Sequence, residues 1–280
     1  YQNINQSRVV ISLNSLQEYI FDLKQATATT CDDFKKINQE TIEKYAQINS
    51  NVLQIEDEYY AVARPKSSRI SNQRLTTKLN DTGVDYIEFR SLDLNPFQRI
   101  GIDLDTVHFL EVFLIYCTLN PSPNITNSEI KEIKQNDLLV ATKGRELGLS
   151  LINNGTKISL KNWANQIMNE MISIAGLLDN KTTDFSSIIN KFSDQIADPD
   201  QTLSALLLNQ VLTEKMDFLE LGRTLGNDYK NYYIRMAASK NSDWSRLEKE
   251  SVDSLKRQVV LEQASKQSFE DFSKEYFNDN

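Results

Sequence analysis

The sequence predicts an α+β fold, with a portion of antiparallel sheet within residues 1–102 and a large helical region over residues 103–280. Strand-favouring residues cluster between Gln47 and Ala63 and again between Val84 and Leu94. After Asp103 the apolar residues recur with helical spacing. An apolar content of 40% in 280 residues is enough to bury a sizeable core, in one large domain or two ordinary ones.

The first element expected is a helix over Ser12 to Lys24, where Leu13, Leu16, Tyr19, Ile20 and Leu23 share a face and Ser12 or Asn14 is positioned as a cap. Val52, Ile55, Tyr59, Tyr60 and Val62 then point to one or two strands between Gln47 and Ala63. The polar stretch Ser67 to Asp81 reads as a loop that ends at Gly83 and leads into a strand within Val84 to Leu94, closed by Asn95 and Pro96.

Beyond Asp103 helices are expected to the end of the chain, with breaks near Pro121 to Asn127, Gly148 to Lys157 and Asn180 to Asp184. The most apolar run, Val107 to Leu119, is interrupted by His108 and Glu111 and is well short of the roughly 20 apolar residues that a membrane span needs. It reads as a buried core helix. Phe185, Ile188, Ile189, Phe192 and Ile196 form one core-facing stripe, and Trp163, Ile167, Met171, Ile174, Ala175 and Leu178 form another. The charged stretch Asp243 to Tyr276 has sparse apolar positions and reads as a surface helix pair or one long helix.

A net charge of -8 opposes the phosphate neutralisation on which sequence-independent nucleic-acid binding depends, so no nucleic-acid partner is expected. Cys31 and Cys117 are too few for a disulfide framework and read as free thiols in a reducing cytoplasm. The sequence opens at Tyr1 with no basic segment followed by an apolar one, so no signal peptide is expected. The chain is expected to have been cut from a longer protein.

Two clusters carry candidate chemistry. In Asp85-Tyr86-Ile87-Glu88-Phe89-Arg90 the strand period places Tyr86, Glu88 and Arg90 on one face and Ile87 and Phe89 on the other. With Ile87 and Phe89 in the core, Glu88 and Arg90 would stand about 6 to 7 Å apart, a spacing suited to a metal-held polyphosphate. A carboxylate can ligate Mg²⁺, and a guanidinium can hold the phosphoryl oxygens that the metal also holds. An exposed strand with cross-strand salt bridges explains the same residues.

In the second cluster Pro65 biases Arg64 to an extended conformation, so that Tyr60, Arg64 and Lys66 are presented near a strand end and suit an anion. A solvated basic turn is the alternative. Lys143-Gly144-Arg145 lacks the spacing of a phosphate-binding glycine loop. His108 is the only histidine and reads as structural, which leaves no His-rich metal site.

Together these clusters resemble the proteobacterial type of glutamate-cysteine ligase. The resemblance rests on Gln47-Ile48-Asn49-Ser50-Asn51-Val52-Leu53-Gln54-Ile55-Glu56, Tyr60-Ala61 with Arg64-Pro65-Lys66, Tyr86-Ile87-Glu88 with Arg90-Ser91-Leu92-Asp93, and Asn95-Pro96-Phe97. Weaker echoes continue in Gly144-Arg145 with Gly148-Leu149, in Asp198-Pro199-Asp200 and in Ser204-Ala205.

The resemblance implies the C-terminal part of such an enzyme. Residues 1–102 would belong to a glutamine-synthetase-like antiparallel catalytic sheet whose N-terminal strands are absent here, and the helical region would pack on that sheet. The implied reaction is ATP-dependent ligation of the γ-carboxylate of L-glutamate to the amine of L-cysteine, through γ-glutamyl phosphate, in the cytoplasm. Glu88 resembles a ligand of the Mg²⁺ on ATP. Arg90 and Arg64 resemble the catalytic guanidinium groups that bind the nucleotide and stabilise the transferring phosphoryl group. Tyr60 and Tyr1 resemble the tyrosines of a cysteine pocket.

The family's further acidic ligands and a histidine precede Tyr1, so the chain is expected to be incomplete as a catalyst alone and to need the N-terminal part of the same enzyme. Leu13 replaces a frequent aromatic, and Leu206 a frequent arginine after Ser-Ala. A non-catalytic helical interaction module, or a related carboxylate-amine ligase with another amine acceptor, remains the alternative.

Overall fold

The computed structural model describes residues 9–40, 47–68, 73–238, 242–264 and 267–278. It is mostly helical and carries two small sheets, each of two antiparallel strands. The chain divides into two compact units, one of residues 1–92 and 250–280 and the other of residues 93–249.

In the first unit, helix α1 (Leu16–Ala28) is capped by Ser15, whose side chain accepts from the Glu18 amide at 3.1 Å. The expected cap at Ser12 or Asn14 is therefore displaced. Ser12 instead lies outside the helix and straps onto it, its hydroxyl donating to Glu18 and its amide to Asp22. Tyr19, Ile20, Leu23 and Ala26 from α1 meet Ile11, Leu53, Leu75 and Leu79 in one apolar core. Helix α2 (Asp32–Glu40) follows.

The strands expected between Gln47 and Ala63 do not form among the described residues. The only pairing there is an isolated bridge between Asn51 and Thr30, followed by a 3-10 turn over Glu56–Glu58. The Val52 and Leu53 amides donate to Thr29 and Ala26 at the end of α1, so this backbone is already satisfied by a helix terminus. Leu53 thereby drops into the core with no exposure.

Strand β1 (Ala63–Lys66) begins where the expected strand region ends. The expected loop before Gly83 contains helix α3 (Leu75–Thr82), which buries Leu75, Thr76 and Leu79 and stops at Gly83, where φ is +78°. Strand β2 (Tyr86–Phe89) then pairs antiparallel with β1, setting Arg64 opposite Glu88 and Lys66 opposite Tyr86.

In the second unit, helix α4 (Leu104–Leu119) is capped by Asp103. It is not the buried core helix that its composition suggests. Of its residues only Val112 is buried, while Leu114 and Leu119 are exposed. Helix α5 (Asn127–Lys143) starts in a capping box formed by Thr126 and Glu129.

The break expected over Gly148 to Lys157 is a hairpin of β3 (Ser150–Asn153) and β4 (Thr156–Ser159). Asn154 and Gly155 turn it, both at positive φ. Helices α6 (Leu160–Leu178) and α7 (Phe185–Ala197) present the two expected stripes. Met168, Met171, Ala175, Phe185 and Ile189 pack with Val112 into a second core. His108 sits at its edge, 5.0 Å from the Phe185 ring centroid and 3.3 Å from Glu111.

Helices α8 (Leu203–Glu214) and α9 (Phe218–Ala238) follow, then the helix pair α10 (Ser242–Ala264) and α11 (Phe269–Asn278), which is mostly exposed as its composition predicts. Cys31 and Cys117 are free thiols. No helix among the described residues is long and apolar enough to cross a membrane.

Candidate functional site

The β1–β2 hairpin gathers Tyr60, Arg64, Glu88 and Arg90 into one place. Tyr1 lies outside the described residues. Antiparallel register puts the Arg64 and Glu88 positions directly opposite each other. The Glu88 carboxylate is 3.1 Å from Arg90 Nε and 3.7 Å from Lys66 Nζ. It therefore forms a direct ion pair with Arg90 instead of standing 6 to 7 Å from it. Ile87 is 47% exposed, so the face opposite Glu88 is not the packed core that the wider spacing assumed.

Asp57, which the sequence reading did not single out, ties the cluster together. It lies 3.5 Å from Arg64 and 3.4 Å from Lys66, and its main-chain carbonyl accepts from Arg64 at 3.2 Å. Tyr60 donates its hydroxyl to the Arg90 carbonyl across 3.4 Å. Burial acts to raise the Glu88 pKa, but the Arg90 hydrogen bond and charge, with Lys66 and Arg64, outweigh it and hold the carboxyl below its ordinary range.

Arg64 is completely buried. Its guanidinium is taken up by Asp57 and the Glu56 carbonyl, and its Nε has no acceptor among the described residues. The Tyr19 hydroxyl is buried beside it, and burial raises its pKa against the opposing charge of Arg64. Tyr59, packed against the same core, has its pKa pushed up to about 12 by burial.

Beneath the cluster lies a buried polar knot. The Glu56 carboxylate meets the Arg74 guanidinium at 2.8 Å and accepts from the Thr76 hydroxyl at 2.7 Å and the Thr76 amide at 3.3 Å. Arg74 also donates to the Thr27 hydroxyl at 3.1 Å. Glu56 thus supplies an acceptor at the amino end of α3 from far away in sequence, and it orients the 3-10 turn that carries Asp57. The acidic run Glu56-Asp57-Glu58 was the one available hint, because a buried carboxylate cannot be distinguished from a solvated one by composition.

The described residues contain no group of three His, Cys, Asp or Glu side chains able to hold a metal. Glu88 is one carboxylate facing two cations, so these residues alone do not fit Mg²⁺. They form a compact charged surface suited to an anion that could exchange with the Glu88 carboxylate on Arg90 and Lys66.

Residues 1–140 match the family model described as glutamate-cysteine ligase. Among similar proteins, the glutamate-cysteine ligase of Alcanivorax borkumensis is 34% identical, covering 100% of this chain and 54% of the relative. That of Shewanella oneidensis is 36% identical, covering 99% and 53%. The chain spans about half the length of the curated relatives it matches.

A crystal structure of glutamate-cysteine ligase from Francisella tularensis in complex with AMP superposes with a TM-score of 0.87 at 28% identity, covering 99% of this chain and 55% of that one. A bifunctional glutathione synthetase from Pasteurella multocida, at 19% identity and a TM-score of 0.56, shares the fold over 82% of this chain. The match to the family model over half of its residues, resting on the stretch that builds the charged hairpin, shows that this chain belongs to the glutamate-cysteine ligase family.

Proposed function

We propose that this chain serves ATP-dependent ligation of the γ-carboxylate of L-glutamate to the amine of L-cysteine, the first step of glutathione biosynthesis, in the cytoplasm. The observation that carries the reading is the convergence of Tyr60, Lys66, Glu88 and Arg90 on one hairpin in a chain of this family. In this reading β1 and β2 belong to a larger glutamine-synthetase-like antiparallel sheet. Residues 1–102 form its catalytic portion and residues 103–280 the helical region packed on it.

The chemistry is two displacements. A γ-carboxylate oxygen attacks the terminal phosphorus of ATP and ADP leaves, giving an acyl phosphate. The cysteine nitrogen then attacks the acyl carbon, the C–N bond forms, and phosphate departs as the amine loses a proton. Each step moves negative charge, and fixed cations lower its cost by positioning and neutralisation.

Arg90 would bind the phosphoryl oxygens and stabilise them in transfer. Arg64, being buried, would act on the nucleotide through Asp57 and Lys66. Tyr60, with Tyr1, would orient cysteine. Glu88 is proposed as one metal ligand, which further carboxylates from the N-terminal part of the enzyme would have to join. The isolated chain is therefore expected to be inactive.

The test is ADP release by the complete protein containing this chain, with Mg-ATP and glutamate, in the presence and absence of cysteine. Cysteine-dependent release is expected, and Glu88→Gln should abolish it while leaving the protein folded, with its circular dichroism spectrum unchanged. Normal turnover by that variant would sink the assignment. Release driven equally by another amino acid would point to a related ligase with a different amine acceptor.

The direct Glu88–Arg90 pair at 3.1 Å favours a second reading, in which these charges are structural and the chain is a helical interaction module. Failure of excess Mg-ATP to raise the melting temperature of the complete protein would support it.

A further inference from the structure

The helical unit holds a cavity that the ligase reading does not use. Its volume is about 480 Å³, and its walls are mostly apolar. Four separate stretches of chain converge on it. Phe109 of α4, Met168 of α6 and Phe192 of α7 form apolar walls, with the Phe109 and Phe192 rings 4.5 Å apart. Gly144, Gly148 and Leu149 come from one weakly matching stretch noted in the sequence, and Pro199 from another. A cavity of this size, largely apolar with a few polar groups, has the make-up of a small-molecule site.

Its charged lining is limited to Glu146 and Lys161. Glu146 is offset by Lys143 at 3.7 Å. Lys161 forms no ion pair among the described residues, and its ammonium donates to the carbonyl of Ala197 at 3.2 Å, leaving donor capacity over. Lys161 is also the second residue of α6. The Leu160 amide is taken by Leu149 and the Asn162 amide by Ser159, which leaves the Lys161 amide without an acceptor among the described residues. A negative charge at this point of the rim meets both a cation and a free amide beside an apolar chamber.

We propose that this cavity binds a small amphipathic monocarboxylate, its apolar body against Phe109, Met168 and Phe192 and its carboxylate at Lys161. The site does not rest on the ligase reading, and each can fail without the other.

The experiment is calorimetric titration of the complete protein containing this chain with octanoate, octan-1-ol and octylamine. Octanoate is expected to bind saturably at one site, the alcohol more weakly, and the amine least. Lys161→Met should weaken octanoate about tenfold, as expected for loss of a charge-assisted contact, and leave the alcohol unchanged. Lys161→Arg should restore octanoate. Ala164→Leu, which puts bulk into the cavity wall, should weaken octanoate and alcohol alike. Equal octanoate affinity in Lys161→Met and the parent, amine binding as tight as carboxylate, or no saturable octanoate binding would each overturn the proposal.

Discussion

Glu56 and Arg74 form an ion pair at 2.8 Å, with side-chain exposures of 0% and 8%, and Thr76 and Thr27 complete its hydrogen bonds. Buried charge is tolerated only when paired in this way, and removing one partner leaves the other uncompensated. Glu56→Ala is therefore expected to destabilise the first unit by about 3–5 kcal/mol. Glu56→Leu combined with Arg74→Met should cost less than Glu56→Ala, although the Thr76 amide still loses its acceptor. Urea unfolding of the three proteins checks this. A double variant no better than the single one would show that the pair itself is not what makes the site sensitive.

The pH behaviour of Glu88 follows from Arg90 and Lys66. Burial opposes ionisation of Glu88, the cations more than offset it, and the folded pKa lies below the unfolded one. The stability that Glu88 contributes is thus fully present above the unfolded carboxyl value of about 4.3 and is lost as pH falls through the lower, folded value. Arg90→Gln should move the Glu88 titration midpoint upward, and Lys66→Met should do so by less, because Lys66 stands farther away. Carbon-detected NMR titration of the Glu88 carboxyl reads this directly. An unmoved midpoint in Arg90→Gln would mean that the pair does not persist in solution.

Helices α6 and α7 were readable because each sets a continuous apolar face at helical spacing against the other, and Met171, Ala175, Phe185 and Ile189 are buried as that spacing requires. Helix α3 was not readable. It has eight residues and two large apolar ones, and its amino end is completed by Glu56 from outside any local window. The strand reading of residues 47–63 failed for a similar reason, since the amides of Val52 and Leu53 pair with the end of α1. Asn154-Gly155 between Ile152 and Ile158 is a local hairpin signal, although each strand it joins is only four residues long.

At the site, period-two spacing put Glu88 and Arg90 on one face of the strand, and their side chains meet there at 3.1 Å. It could not give their separation, because an arginine side chain on a flexible stem can bend back toward a neighbour two residues away. Nor could it give the burial of Arg64 or the part of Asp57, both of which depend on where the 3-10 turn lands. Pro65 and Tyr60 signalled a presented basic cluster, and β1 does present Lys66. Arg64 shares the strand face of Lys66 but is buried, its guanidinium held by Asp57 and the Glu56 carbonyl.

Ile189 is fully buried between α4, α6 and α7, whereas Leu177 on α6 is 87% exposed. Removing buried methyl groups costs transfer energy plus a cavity. Ile189→Ala is expected to lose about 2–5 kcal/mol, and Leu177→Ala to stay within about 0.5 kcal/mol. Denaturant midpoints of the two variants make the comparison. Similar losses at both positions would place a partner surface over Leu177.

Tyr60 gives the sharpest separation between a pocket and a structural role. Its hydroxyl reaches the Arg90 carbonyl at 3.4 Å, near the outer limit of a useful hydrogen bond, so Tyr60→Phe should cost little stability. If the hydroxyl also meets cysteine, the same change in the complete protein should raise KM for cysteine several-fold while KM for ATP stays nearly constant. A weak strut for Arg90 would behave differently. Losing it would disturb the cation assigned to the phosphoryl group and move both KM values together. Equal changes would therefore transfer Tyr60 from the cysteine pocket to the support of Arg90, and unequal ones would keep it at the substrate.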